Sequence, residues 1–182
     1  MSHKSLSKLD APKNITNNEK VLNQNDFIVS KTDTKGKIIY CNEIFTEMAG
    51  YPAADLIGAN HNIIRHPDMP KLAFKVLWDL IQNKEEFFGF VKNLRADGGY
   101  YWVFAYITAD LDQNGNIISY TSVRRKMPQS AIDIMAPIYK QLVDAEKSGG
   151  VSASQEILNS LLKEHNLEYN EFVINLQLGA TL

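Results

Sequence analysis

Arg65 and His66 stand side by side in the stretch Asn60-His61-Asn62-Ile63-Ile64-Arg65-His66-Pro67-Asp68-Met69-Pro70. A permanent cation next to an imidazole offers charge and hydrogen bonds to a bound molecule. The plainer use is a surface loop in which Arg65 makes a local salt bridge. Asp68 also has two uses, orienting Arg65 (or a ligand) or capping the helix that Pro70 opens. His61 by itself reads as a hydrogen-bonded structural residue. His61 and His66 make a poor metal pair, because no cysteine or carboxylate cluster completes a coordination sphere. Asn93 says more: a carboxamide in an otherwise apolar strand must find partners if it is buried. Trp78 suits contact with a flat aromatic ligand, though core packing is the ordinary use of a tryptophan. Asn42 is a helix cap whose amide also points toward the same region.

The elements that must position these residues follow from periodicity. Phe27–Asp33 and Lys37–Cys41 make a hairpin around Thr34-Lys35-Gly36. Short helical pieces follow, ended by Gly50 and Gly58. The helix beginning at Pro70 carries two apolar rows, Ala73/Val76/Leu77/Leu80 and Phe74/Trp78/Ile81, and is expected to be buried along a wide face. Three strands come next, Glu86–Arg95, Tyr100–Leu111 and Asn116–Lys126, joined by turns at Asp97-Gly98-Gly99 and around Asn114-Gly115. The middle strand is apolar on both faces, with Tyr100, Trp102, Phe104 and Tyr106 opposite Val103, Ala105 and Ile107, so both faces must be covered.

This order predicts an α+β fold: one five-stranded antiparallel sheet with short helices on one face, plus C-terminal helices. Such a sheet curls into an apolar cup. Residues 1–24 are polar and read as a flexible or weakly helical lead. After Pro128 an amphipathic helix over 128–148 carries Ile132, Met135, Tyr139 and Leu142 on one stripe, and 151–182 reads as a helical appendage. The stripe must meet the outer sheet face, a second subunit or a receptor. The pair Phe88/Phe90 reads as an exposed aromatic row.

The 182 residues carry a net charge of −2, which leaves no basic footprint for nucleic acid. No apolar run is long enough to span a membrane, and the N-terminus lacks a signal core, so the cytoplasm is the expected location. A single cysteine, Cys41, excludes an internal disulfide. The chain has no G-x-G-x-x-G, no Walker sequence and no visible nucleophile–base pair, so an enzyme is not expected.

The stretch 60–70 resembles the FAD-binding PAS domain of aerotaxis and energy-taxis receptors. Four other pieces agree: Tyr40-Cys41-Asn42 with Phe45, Gly50-Tyr51, Trp78, and Val91-Lys92-Asn93 running through Gly98 to Tyr101-Trp102-Val103. The likeness covers 25–127, the expected sensor domain, and continues loosely into Ala136-Pro137-Ile138-Tyr139. It implies a bound flavin, FAD with FMN or haem b as alternatives, held by Arg65, His66, Asp68, Trp78, Asn93, Asn42 and His61. A cation near the ring's carbonyl edge would tune its redox potential. With no membrane segment, HAMP module or kinase-control region after it, the chain is similar to the soluble stand-alone form found in split energy-taxis systems. The implied role is redox, oxygen or energy sensing, signalled to the cytoplasmic region of a membrane chemoreceptor or HAMP-containing protein. A homodimer through the sheet face or terminal helices, a haem-based gas sensor and a cofactor-free scaffold are the alternatives. Light sensing through a cysteinyl adduct is not expected, since Cys41 falls on an early strand.

Overall fold

The computed structural model describes residues 6–180. Five strands, β1 (Ile28–Thr32), β2 (Ile38–Cys41), β3 (Phe87–Leu94), β4 (Tyr100–Leu111) and β5 (Ile117–Lys126), form one antiparallel sheet in the order β2-β1-β5-β4-β3. Between β2 and β3 the chain makes α1 (Glu43–Ala49), α2 (Ala53–Leu56), a 3-10 turn at His61–Ile64 and α3 (Lys71–Gln82). These close one face of the sheet. Asn42 starts α1 by accepting from the Phe45 amide at 3.1 Å, and Gly50, at φ +76°, ends it. Phe45, Leu56, Ile63, Ile64, Tyr101 and Val103 form the core on this side.

The other face is covered by the C-terminal helices. α4 (Gln129–His165) breaks at Gly150, where φ 65° and ψ −164° lie outside helical space, and α5 (Tyr169–Gln177) follows. Met135, Tyr139 and Leu142 of α4 and Phe172, Val173 and Leu176 of α5 bury Phe90, Trp102 and Phe104. Tyr139 stacks on Trp102 at 6.2 Å between ring centroids, and its hydroxyl donates to the Phe90 carbonyl at 2.7 Å. The amphipathic stripe thus finds its partner in its own sheet. Phe90 is fully buried and Phe88 stacks on Phe104 and Tyr106, so the expected exposed aromatic row is covered instead.

α3 has no side-chain cap from its own N-terminus. Glu146 of α4 supplies one, accepting from the Lys71 amide at 2.8 Å and the Leu72 amide at 2.9 Å. Those amides lack intrahelical partners, so a distant carboxylate satisfies them.

The N-terminal segment, expected as a flexible lead, is bound along the domain over residues 6–24. The Tyr100 amide donates to the Asn18 carbonyl at 2.9 Å, the Lys20 amide donates to Tyr100 at 2.8 Å, and Leu22 is 1% exposed. Gly98 is needed there: a Cβ would come within 2.2 Å of the Asn14 carbonyl oxygen. Residues 1–5 and 181–182 lie outside the described residues.

Candidate functional site

A cavity of about 360 Å³ lies between the inner sheet face and α3. Its floor is built from alternate residues of four strands: Ser30 and Thr32 of β1, Tyr120, Ser122 and Arg124 of β5, Ala105 and Ile107 of β4, and Val91 and Asn93 of β3. Its roof comes from Phe74, Leu77, Trp78 and Ile81 of α3, with Asn60, His61, Asn62, Ile64 and Arg65 of the segment before it. By area most of this wall is apolar, although half of its residues carry a polar or charged group.

Asn93 is 2% exposed, and its side-chain nitrogen finds no partner among the described residues. A buried donor left unpaired costs about 1–3 kcal/mol, so it marks a place where an acceptor belongs. The backbone of Asn93 pairs with that of Arg65, which brings the two residues together at the β3 end of the cavity. The Arg65 guanidinium lies 4.2 Å over the Phe74 ring and donates to the Met69 carbonyl at 3.1 Å. Burial lowers its pKa while the Glu146 charge opposes that shift. Trp78 meets Tyr120 edge to face at 5.5 Å.

Arg124 is the residue the periodicity did not single out. It is 2% exposed, donates to the Ser30 hydroxyl, lies 4.6 Å over the Phe45 ring, and no carboxylate among the described residues pairs with it. Its Nε has no hydrogen-bond partner among the described residues. Desolvation lowers its pKa to about 10, so it stays a cation at neutral pH. His61 sits beside it, with Nε2 3.3 Å from an Arg124 nitrogen. Arginine only donates, so Nε2 accepts and the ring is neutral. Burial, then the Arg124 charge, pushes the His61 pKa down to about 3. One sequence signal could have found Arg124. Adjacent residues of a strand point to opposite faces, so of Arg124 and Arg125 one must enter the cup.

The family model described as PAS fold matches residues 38–124. Over 115 residues the chain is 37% identical to the aerotaxis receptor of Escherichia coli (strain K12), covering 63% of this chain and 22% of that one. It is 28% identical over 110 residues to the nitrogen fixation regulatory protein of Klebsiella oxytoca, covering 60% and 22%. This region is a PAS domain. The chain thus spans 22% of the length of these two relatives. Among solved structures, the PAS domain is similar to the LOV domain of the Erythrobacter litoralis EL346 blue-light activated histidine kinase. That superposition has a TM-score of 0.52 at 25% identity, over 57% of this chain and 97% of that one. A light-oxygen-voltage domain from work on a flavin analogue shares the fold at a TM-score of 0.54 and 23% identity, over 61% and 83% of the two chains.

Of the residues singled out in the sequence, the PAS fold brings His61, Arg65, Trp78 and Asn93 to one cavity. His66, Asp68 and Asn42 do not line it. Residues 65 and 66 point opposite ways, so Arg65 enters the cavity while His66 packs edge-on against Tyr100 at 6.0 Å between ring centroids. The His66 Nδ1 accepts from the Asp68 amide at 3.1 Å, and burial, then Lys92, pushes its pKa down to about 4. Asp68 is exposed and pairs with Lys92 at 2.7 Å. Asn42 spends its side chain on the backbone, accepting from Val29 and Phe45 and donating to Phe27. Cys41 stands on β2, outside the cavity lining.

Proposed function

We propose that this PAS domain holds a flavin, FAD in the first instance, and reports its redox state to a partner protein without turning over a substrate. The observation that carries the reading is a cavity between sheet and helix whose lining holds an unpartnered Asn93 donor and a buried Arg124 without a counter-charge among the described residues. A flat aromatic ligand with several acceptors fits such a donor set; a bound flavin supplies reversible electron and proton uptake on such a ring. Asn93 donates to the edge, Trp78 and Phe74 cover the roof side, and Arg65 and Arg124 hold two positive charges at the cavity wall. Low effective dielectric makes those charges count for more than they would in water, and they favour negative charge arriving there.

The E. coli relative is an aerotaxis receptor, which supports energy taxis as the setting and the cytoplasmic region of a membrane receptor as the partner. No helix among the described residues is long and apolar enough to cross a membrane. A cytoplasmic protein recruited by its receptor is consistent with this. The route outward runs through α3: its residues roof the cavity, and its first turn is held by Glu146 of α4. Differential contacts of this kind are what a state-dependent signal requires.

The freshly purified chain should show flavin absorption and release FAD without covalent linkage on denaturation. Colourless protein that takes up no added flavin would overturn the reading. A Soret band would replace it with haem, against which stands the engagement of His61 Nε2 by Arg124 and Ser30.

A further inference from the structure

The cavity crosses four strands. From Asn93 on β3 to Ser30 and Thr32 on β1 it passes β4 and β5. Three inter-strand steps make about 14 Å. The two ends differ. At the β3 end Asn93 is buried and its backbone bridges to that of Arg65. At the other, Asn60 and Asn62 both line the cavity and are exposed, so the cavity opens beside the β1–β2 turn.

Lys35-Gly36-Lys37, the tip of that turn, sits on the opening. The Gly36 carbonyl accepts from the His61 amide at 2.9 Å, and the Asn60 side chain donates to the Lys35 carbonyl at 3.4 Å. Gly36 holds φ +77°, and a Cβ there would lie 3.7 Å from the Trp78 indole, so turn and cavity wall are in contact. The turn is built from inside by Asp33, whose carboxylate accepts the Lys35 and Lys37 amides at 2.9 Å each. Both lysine side chains are exposed, and neither has an ion-pair partner among the described residues. By contrast, Lys75 on the nearby helix is paired with Asp79.

We propose that Lys35 and Lys37 form an anion subsite at the cavity mouth that takes the diphosphate of a flavin dinucleotide. The proposal rests on the flavin reading and deepens it, since it names what distinguishes a dinucleotide from the bare ring. A ligand anchored at Asn93 has its ring inside the slot. Whatever follows the ring can leave by the end that opens beside the β1–β2 turn. A diphosphate carries two negative charges and would meet there a turn bearing two exposed lysines without an ion-pair partner among the described residues, with the Asn60 and Asn62 carboxamides as neutral donors. Asp33 keeps its charge while accepting the turn's amides, so it offsets part of this attraction and leaves a net positive turn. Exposed charge contacts are individually weak and salt-screened, so the two together correspond to roughly threefold to tenfold in affinity at low salt.

The test uses the full chain and the double variant Lys35→Gln/Lys37→Gln, titrated with riboflavin, FMN and FAD at low and high salt. Expected are tightest binding of FAD by the unaltered chain, a threefold to tenfold loss for FAD in the variant, unchanged riboflavin binding, and a difference that shrinks in high salt. Unchanged FAD affinity in a variant that binds riboflavin normally overturns the subsite and leaves the flavin reading standing. Equal loss for riboflavin also overturns it, by showing that the turn serves folding. Failure of the unaltered chain to bind any of the three removes the flavin reading, and this proposal with it.

Discussion

Replacing Glu146 by Gln tests whether α3 and the C-terminal helices are one mechanical unit. The carboxylate accepts two α3 amides, at 2.8 and 2.9 Å, and also the Ser154 hydroxyl at 3.1 Å from beyond the Gly150 break. A glutamine keeps one acceptor oxygen and turns an NH2 toward a backbone N–H. One amide is left unpaired, and the charge at the helix N-terminus is lost. Losing a cap costs about 0.5–2 kcal/mol, and the charge–dipole interaction adds about 0.3–1 kcal/mol. The expected destabilisation is therefore about 1–3 kcal/mol. For a chain of this size that is roughly a 2–12 °C drop in Tm. Thermal melts by circular dichroism measure it, and hydrogen exchange should show the Lys71 and Leu72 amides exchanging faster while the β4 and β5 amides do not. Glu146→Ala should be at least as damaging. A Tm indistinguishable from the parent in both variants would refute the argument that this carboxylate holds the first turn of α3.

Trp78→Ala should leave the fold intact at a cost of about 2–3 kcal/mol, below the usual ~3–5 kcal/mol for a fully buried tryptophan because this ring is only partly buried. It should release flavin; stoichiometric retention in a folded variant would return Trp78 to plain packing. Stability should fall as pH drops below about 6.5, where unfolded histidines titrate. Folded His61 and His66 have pKa values of about 3 and about 4, so the unfolded chain binds protons that the folded one refuses, and stability present above 6.5 is lost toward the folded values. Urea midpoints that stay flat from neutral pH to pH 5 would contradict this. Removing residues 130–182 should give an aggregating, dye-binding protein, because it uncovers Phe90, Trp102 and Phe104 and takes away Glu146. A soluble, monomeric truncation with a cooperative melt would show that the α4 packing is dispensable.

The sheet was legible because its signals are local. β3, β4 and β5 begin or end within a residue of the expected positions, and Gly98 and Gly115 hold positive φ where the hairpin turns require it. The antiparallel α+β architecture and the inward phase of Val91 with Asn93 follow from the same alternation. What failed were readings whose partner lies far away in the chain. The N-terminal segment has little periodicity of its own, and its order comes from backbone pairing to Tyr100 and from the space that Gly98 leaves. The apolar stripe of α4 was visible, but which of three surfaces it covers depends on Trp102 and Phe90, decades of residues earlier. His66 and Arg65 are adjacent, and composition alone cannot tell which of two neighbours enters a cavity.

Arg124 shows what the cavity implies about the protein as a whole. Burying a cation is tolerable when a counter-charge or enough acceptors surround it, and here the hydroxyl of Ser30, the ring of Phe45 and a neutral imidazole share the task. That solvation is partial, since Nε is unpartnered. A ligand carrying acceptors or negative charge into the slot would complete it, and a second acceptor at the β3 end would supply what Asn93 lacks. Binding then stabilises the folded chain by mass action, most strongly at the strands and helix that meet in the cavity. A change of charge on the ligand acts on Arg124 and Arg65 at opposite ends of the floor and roof. Arg65 is the one of the two that reaches the α3–α4 junction, through Phe74, Met69 and the field of Glu146. On the proposed flavin reading, Arg124 would set how strongly negative charge is favoured, and Arg65 would couple that charge to the junction of α3 and α4.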